Sequence, residues 1–277
     1  MAKTVIIGQG YVGLPLAEGL ANTKTQEAVI GFDINAKTVD ALNAGTSHID
    51  DISDFQLKTM IANGYRASAN PKDIAEGDVI VICVPTPLYE TGEPDLTFVE
   101  SAVQMTSENL KPGALVILES TTYPGTTEEL VRPVLESGGR KLDKDFYLAF
   151  SPERIDPGNA KYGITNTPKV VGGSSAQSTK LSVEFYRSFI ETVIETVGTR
   201  EAETAKLLEN TYRHVNIALM NEMAMFCHEL GIDIWEVVRL ASSKPYGFQA
   251  FYPGPGVGGH CIPVDPNYLS YEVRRRL

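Results

Sequence analysis

The sequence predicts an α/β protein, with a doubly wound parallel sheet over residues 1–198 followed by a helical domain over 199–277. Three observations carry this. Strand-length apolar runs, rich in Val and Ile and not strictly alternating, recur at 4–8, 28–33, 79–85, 115–120 and 146–151, as expected for strands buried on both faces. Helix-like stretches at 13–21, 36–44 and 98–110 fall between them, and strand alternating with helix points to a parallel sheet wrapped by helices. From Arg200 the character changes: residues 202–230 hold no Pro or Gly, and Ala205, Leu208, Tyr212, Val215, Leu219, Met223, Phe226 and Leu230 recur at helical spacing before Gly231.

In chain order, the first strand runs into Gly8-Gln-Gly10-Tyr11-Val12-Gly13, which opens a helix. Gly8 permits the tight turn, Gly10 lets a pyrophosphate approach the backbone, and Gly13 lets the helix pack on the strand. The free N–H groups of the helix N-terminus then face the phosphates. The second strand ends in Asp33, 20 residues beyond Gly13, where a carboxylate accepts hydrogen bonds from a ribose diol. This is a Rossmann-type dinucleotide fingerprint. The acid predicts NAD as cofactor, because it would repel the 2′-phosphate of NADP.

The strand at 115–120 leads into Thr121 and that at 146–151 into Glu153. Both ends belong to the edge where doubly wound sheets bind ligands, although position alone leaves Thr121 and Glu153 equally readable as turn residues. Residues 169–173 and 192–198 are candidate added strands. In the long helix Lys206 and Asn210 are four apart and share a face, so an amine and an amide together can stabilise an oxyanion, yet a solvated Lys beside an exposed Asn fits the same spacing. Residues 233–242 read as a shorter helix. The stretch 251–266 is too dense in Gly and Pro for a regular element, and it holds Cys261 with Asp265 four residues on. Its glycines, Gly258 among them, allow a ligand to come close, and its prolines stiffen the loop around a candidate nucleophile. His260 is adjacent, but neighbours in an extended chain point apart, which argues against a protease-like dyad. Cys83, in a strand, and Cys227, in an apolar helix, read as structural thiols. Residues 267–277 open another helix whose Arg274, Arg275 and Arg276 read as a solvated face.

Composition narrows the function classes. With 43% hydrophobic and 21% charged residues the chain is globular, and no run of 18 apolar residues is present to span a bilayer. A net charge of −11 works against nucleic-acid binding. Three cysteines without a C-x-x-C pair fit a reducing, cytoplasmic setting, and no Cys/His spacing predicts a metal site. Glycines at 8, 10 and 13 with Glu18 break the N-terminal apolar stretch, so a signal peptide is not expected.

Read together, these motifs resemble the UDP-glucose/GDP-mannose dehydrogenase family. The matching segments are 8–13, Cys83-Val-Pro-Thr-Pro87, Glu119-Ser-Thr121, Ser151-Pro-Glu-Arg154, Pro168-Lys-Val-Val-Gly-Gly173, Glu203-Thr-Ala-Lys206-Leu-Leu-Glu-Asn210 and 254–266. His260-Cys261, Val264-Asp265 and Arg154 resemble the branch acting on UDP-N-acetylhexosamines, and the continuation from Ile155 to Asn159 resembles UDP-N-acetylglucosamine 6-dehydrogenases. The resemblance implies two successive oxidations of a sugar C6 hydroxyl with NAD, in the service of polysaccharide biosynthesis. It implies catalytic roles for Cys261, Lys206, Asn210, Asp265, Glu153 and Thr121, with Val84, Pro85, Thr86, Thr121 and Glu153 against the cofactor. Substrate contacts fall to Arg154, Lys206, Asn210, Tyr252, Gly258 and His260. It further implies a homodimer through the helix at 202–230, and no metal.

Two departures stand out. The basic residue expected five positions after the ribose acid is replaced by Thr38, with Lys37 one step early. The family's second Rossmann-like domain, which holds the UDP group, is not found in these 277 residues, so the chain alone is expected to turn over poorly. Rival readings are a UDP-glucose 6-dehydrogenase, a hydroxyacid dehydrogenase that would leave the Cys261 loop idle, and a non-catalytic NAD-binding and dimerisation fragment.

Overall fold

A computed structural model describes residues 2–23, 28–155, 159, 161–259 and 261–276. Eight strands, β1 (Lys3–Ile7), β2 (Ala28–Phe32), β3 (Tyr65–Ser68), β4 (Val79–Ile82), β5 (Ala114–Leu118), β6 (Phe146–Phe150), β7 (Lys169–Gly173) and β8 (Val193–Glu195), form one sheet ordered β3-β2-β1-β4-β5-β6-β7-β8. The first six strands in that order pair in parallel, whereas β7 runs antiparallel to β6 and parallel to β8. The parallel sheet expected from the alternating pattern is thus present over these six strands, and the added strand β7 reverses direction once. No helix of described residues separates β6 from β7, and a direct return need not reset the strand direction.

The helices are α1 (Gly13–Thr23), α2 (Ala36–Asn43), α3 (Asp54–Ala62), α4 (Thr97–Asn109), α5 (Arg132–Leu135), α6 (Ala176–Arg187), α7 (Thr199–Glu229), α8 (Ile234–Ala241) and α9 (Asp265–Arg276). Ile6, Val81, Leu115 and Ile117 join Leu14, Leu20, Leu57, Val183 and Tyr186 in one apolar cluster, so one sheet face packs on α1, α3 and α6. The alternating residues Val5, Ile80 and Val116 are equally buried and point the other way, towards the side where Val99 and Val103 of α4 are buried. Cover on both faces explains why these strands read as continuous apolar runs.

The chain divides into two compact units, one of residues 1–87 and 94–206, the other of 88–93 and 207–277. The division between these units falls inside α7. Its first turns are tied to the first unit by Glu203, whose carboxylate accepts the N–H of Gly125 at 2.5 Å, the N–H of Thr127 at 2.9 Å and the Thr127 hydroxyl at 2.6 Å. In the second unit Asp233 caps α8, the Tyr212 hydroxyl donates to Gln249 at 2.9 Å, and Gly254 N–H donates to Asn221 at 2.9 Å. Arg275 and Arg276 of α9 both pair with Glu272, so part of the arginine run is tied to its own helix.

Candidate active site

The parallel strands deliver their C-terminal ends to one edge of the first unit. Gly8 follows β1, Asp33 follows β2, Val84, Pro85 and Thr86 follow β4, Thr121 follows β5 and Glu153 follows β6. The fingerprint turn is fitted to a dinucleotide. A side-chain carbon at Gly13 would stand 1.9 Å from the Gly8 carbonyl oxygen, so only hydrogen lets α1 start this close to the strand. At Gly10 the same construction meets nothing within 4 Å, which leaves open room over the helix start, where Tyr11 and Val12 follow. Asp33 Oδ2 accepts the Gln9 N–H at 3.0 Å and Oδ1 accepts the Asn35 N–H at 2.9 Å. These bonds hold the carboxylate at the strand end. Gln9 itself is buried: its Nε2 donates to Ile6 O at 2.9 Å, and its Oε1 accepts the Tyr65 hydroxyl at 2.9 Å. The side chain fills the space beside Gly31, where a Cβ would lie 2.3 Å from that Oε1.

Around Glu153 the first unit concentrates charge. Glu153 Oε1 accepts the N–H groups of Arg154 at 2.7 Å and Ile155 at 2.5 Å, and the Lys206 amine donates to the Glu153 carbonyl. Arg154 donates to Pro168 O at 2.7 Å. Lys206 is buried, so the solvated-lysine alternative does not describe it. Asn210 lies one turn further along α7, and its amide donates to Asp265 Oδ2 at 2.5 Å within the second unit. Asp265, 2% exposed, opens α9, and its N–H bonds back to Cys261 O at 2.9 Å. Cys261 thus sits one turn before the start of α9. It is the exposed thiol of the three, with Cys83 and Cys227 buried. Burial pushes the Cys83 thiol well up and out of use as a nucleophile. Tyr252 stacks on Trp235 with ring centroids 5.8 Å apart, and a Cβ at Gly258 would meet nothing within 4 Å. His260 lies outside the described residues, as does the segment 156–158 used for the substrate reading.

Three site-edge residues escaped the sequence reading as functional groups: Glu119, Lys169 and Glu203. Each lies within a quoted motif, but nothing in local spacing marks it as buried and charged. Among the described residues no group of three His, Cys, Asp or Glu is placed to hold a metal ion, and no helix is long and apolar enough to cross a membrane.

The sequence profile of the UDP-glucose/GDP-mannose dehydrogenase family, NAD binding domain, matches residues 2–190, and the profile of its central domain matches 200–276. A UDP-N-acetyl-D-mannosamine dehydrogenase of Escherichia coli K12 is 41% identical over 97% of this chain and 64% of its own length. A UDP-N-acetyl-D-glucosamine 6-dehydrogenase of Pseudomonas aeruginosa is 39% identical over 98% of this chain and 63% of its own. The solved UDP-D-ManNAc dehydrogenase from Pyrococcus horikoshii superposes with a TM-score of 0.89 at 37% identity, covering 96% of this chain and 63% of that one. The chain therefore spans a little under two thirds of the relatives it matches.

Proposed function

This chain belongs to the UDP-glucose/GDP-mannose dehydrogenase family, and from that premise we propose that it serves the two-step oxidation of a UDP-N-acetylhexosamine at C6 to the uronate. The observation that carries the reading is the Cys261 setting: an exposed thiol one turn before α9, beside an Asp265 that Asn210 holds at 2.5 Å.

NAD, held by the turn at 8–13 and by Asp33, supplies the hydride acceptor for each oxidation. The residues of the chain do the rest. In the first oxidation the C6 hydroxyl proton passes to a water held by Asp265, Thr121 or Lys206 as hydride leaves C6. Cys261 Sγ then adds to the aldehyde carbon, and the oxyanion of the thiohemiacetal is stabilised by the Lys206 ammonium and the Asn210 amide. Loss of the second hydride leaves a thioester on Cys261. Glu153 takes a proton from a water, the water oxygen bonds to the thioester carbon, and the C–S bond breaks to return the Cys261 thiolate and release the carboxylate. Covalent capture keeps the aldehyde from escaping between the two oxidations.

The continuation from Ile155 favours UDP-N-acetylglucosamine. The second reading is the mannosamine epimer, favoured by the name of the Escherichia coli relative. Much of the binding energy for a UDP-sugar comes from its nucleotide, so the 277-residue chain by itself turns over little. A homodimer through α7 fits the half or more exposure of Leu208, Val215, Leu219, Phe226 and Leu230, and a cytoplasmic setting fits three cysteines without a C-x-x-C pair. The test is NADH formation by the natural full-length protein on UDP-N-acetylglucosamine, UDP-N-acetylmannosamine and UDP-glucose. Turnover of an N-acetylhexosamine, abolished by Cys261→Ser, is expected. Preference for UDP-glucose would overturn the substrate assignment, and uronate formation by Cys261→Ser would overturn the thioester route.

A further inference from the structure

Between Gly8 and Gly10, Gln9 is fully buried, an uncommon place for a side-chain amide. Its side chain lies across the face of β2 at Gly31 and ends on β3. The Nε2 group donates to Ile6 O at 2.9 Å and to Gly8 O at 3.2 Å, and Oε1 accepts the hydroxyl of Tyr65, the first residue of β3, at 2.9 Å. A Cβ at position 31 would stand 2.3 Å from that Oε1 and 2.5 Å from the Tyr65 oxygen, so glycine there is what lets the bridge form. Burial, with the Asp33 charge second, pushes the Tyr65 phenol up, so the hydroxyl stays protonated and donates at any ordinary pH. An apolar side chain of the same length would fill this space without needing three hydrogen bonds. Filling is therefore not a sufficient account of Gln9.

What the bridge holds still is the Gln9 backbone. Its N–H donates to Asp33 Oδ2 at 3.0 Å, while the Asn35 N–H donates to Oδ1 at 2.9 Å. The turn is also tied to β2 by Gly8 N–H on Phe32 O at 2.8 Å, and Asp33 to β3 by its own N–H on Ser68 O at 3.0 Å. The Asp33 carboxylate thus has one backbone donor on each oxygen, which sets its orientation and leaves each oxygen a lone pair for a further donor. A carboxylate held in this way accepts from a 2′-hydroxyl but cannot swing away from a 2′-phosphate. We propose that Gln9 is a positioning residue for cofactor choice: its buried side chain fixes the N–H that aims Asp33, and the fixed carboxylate favours NAD over NADP. The proposal rests on the reading of Asp33 as the acid that meets the adenosine ribose.

Calorimetric titration of the natural full-length protein with NAD and with NADP gives the ratio of the two dissociation constants. Gln9→Met keeps the length of the side chain and removes its hydrogen bonds. Gln9→Met/Tyr65→Phe removes the orphaned hydroxyl as well, which costs little when both partners go together. Both variants should lower the NADP-to-NAD ratio about fivefold, the equivalent of one net hydrogen bond at about 1 kcal/mol. Tyr65→Phe alone, the mildest change, should lower it in the same direction by less, and it decides the question where the Gln9 variants do not fold. In an Asp33→Ala background the ratio should not respond to Gln9→Met. A side chain that merely stabilised the turn would instead weaken both cofactors alike in either background. An unchanged ratio in the folded variants, with Asp33→Ala narrowing the gap, would overturn this inference alone, as would a Gln9 effect on the ratio that persists without Asp33. Equal affinities in the wild type, or a gap that survives Asp33→Ala, would overturn the Asp33 reading and this inference with it.

Discussion

Gly10 and Gly13 stand three residues apart in one turn, yet an added methyl should act on different properties at the two positions. At Gly13 the new carbon would meet the Gly8 carbonyl oxygen at 1.9 Å, where ordinary contact begins at 3.4 Å. The start of α1 must therefore withdraw from β1 by about 1.5 Å, against a backbone atom that has nowhere to go. Overpacking of that kind costs about 1–3 kcal/mol. For a unit of this size each of those should lower the melting temperature by about 2–4 °C. At Gly10 the methyl meets nothing within 4 Å and the backbone needs no unusual dihedral, so Gly10→Ala should melt within about 0.5 kcal/mol of wild type. Its methyl occupies the room assigned to the pyrophosphate, and NAD should bind about tenfold more weakly or worse, about 1.4 kcal/mol. Differential scanning fluorimetry and calorimetric titration with NAD, run on both variants, separate the two effects. A Gly10→Ala protein that binds NAD like wild type would refute the assignment of that space. A Gly13→Ala protein as stable as wild type would refute the account of the close approach.

Other outcomes follow from the same structure. NADP should bind at least about tenfold more weakly than NAD, with Asp33→Ala narrowing the gap; equal affinities in the wild type would remove Asp33 from the ribose site. Burial lifts the Glu203 carboxyl from 4.5 to about 7 against the opposing hydrogen bonds from Thr127 and Gly125. The folded chain thus binds that proton more tightly than the unfolded chain, which adds stability that is full below about pH 4.5 and lost as pH rises through about 7, about 3 kcal/mol in all. Wild-type melting should therefore fall more steeply than that of Glu203→Gln between about pH 5 and 8, and parallel curves would count against it. Light scattering at micromolar concentration should give a dimer that Leu219→Glu weakens, Leu219 being 50% exposed on α7; a monomeric wild type would rule that interface out.

The strands were legible because a sheet covered on both faces needs apolar residues at every position, and β1, β2, β4, β5 and β6 show that directly. Element β3 was not, since four residues with Arg66 among them carry no period. Helix α3 announces itself by the Ser53–Gln56 capping box, and α6 by the Ser175 cap, signals that hydrophobic periodicity passes over. In the site, Asp33 and Cys261 were readable because their neighbours in sequence are also their setting. The partners of Glu153 were not: Lys169 and Glu119 are 50 residues apart and meet only because β6 lies between their strands. The same holds for Glu203, whose three donors come from more than 70 residues away.

The buried Gln9 side chain has a consequence for how this turn can change by mutation. With Gln9 in place, position 31 has no room for a side chain, and the Tyr65 hydroxyl closes the remaining space at 2.5 Å. Replacing Gln9 by a smaller residue first would remove one obstacle at position 31 and release Tyr65 from its acceptor, so that its hydroxyl can move aside as well; the opposite order passes through a clash inside the sheet. The two sites are therefore epistatic with a fixed direction, and a mutational scan of Gly31 would score it as intolerant or permissive according to the residue nine positions from the N-terminus.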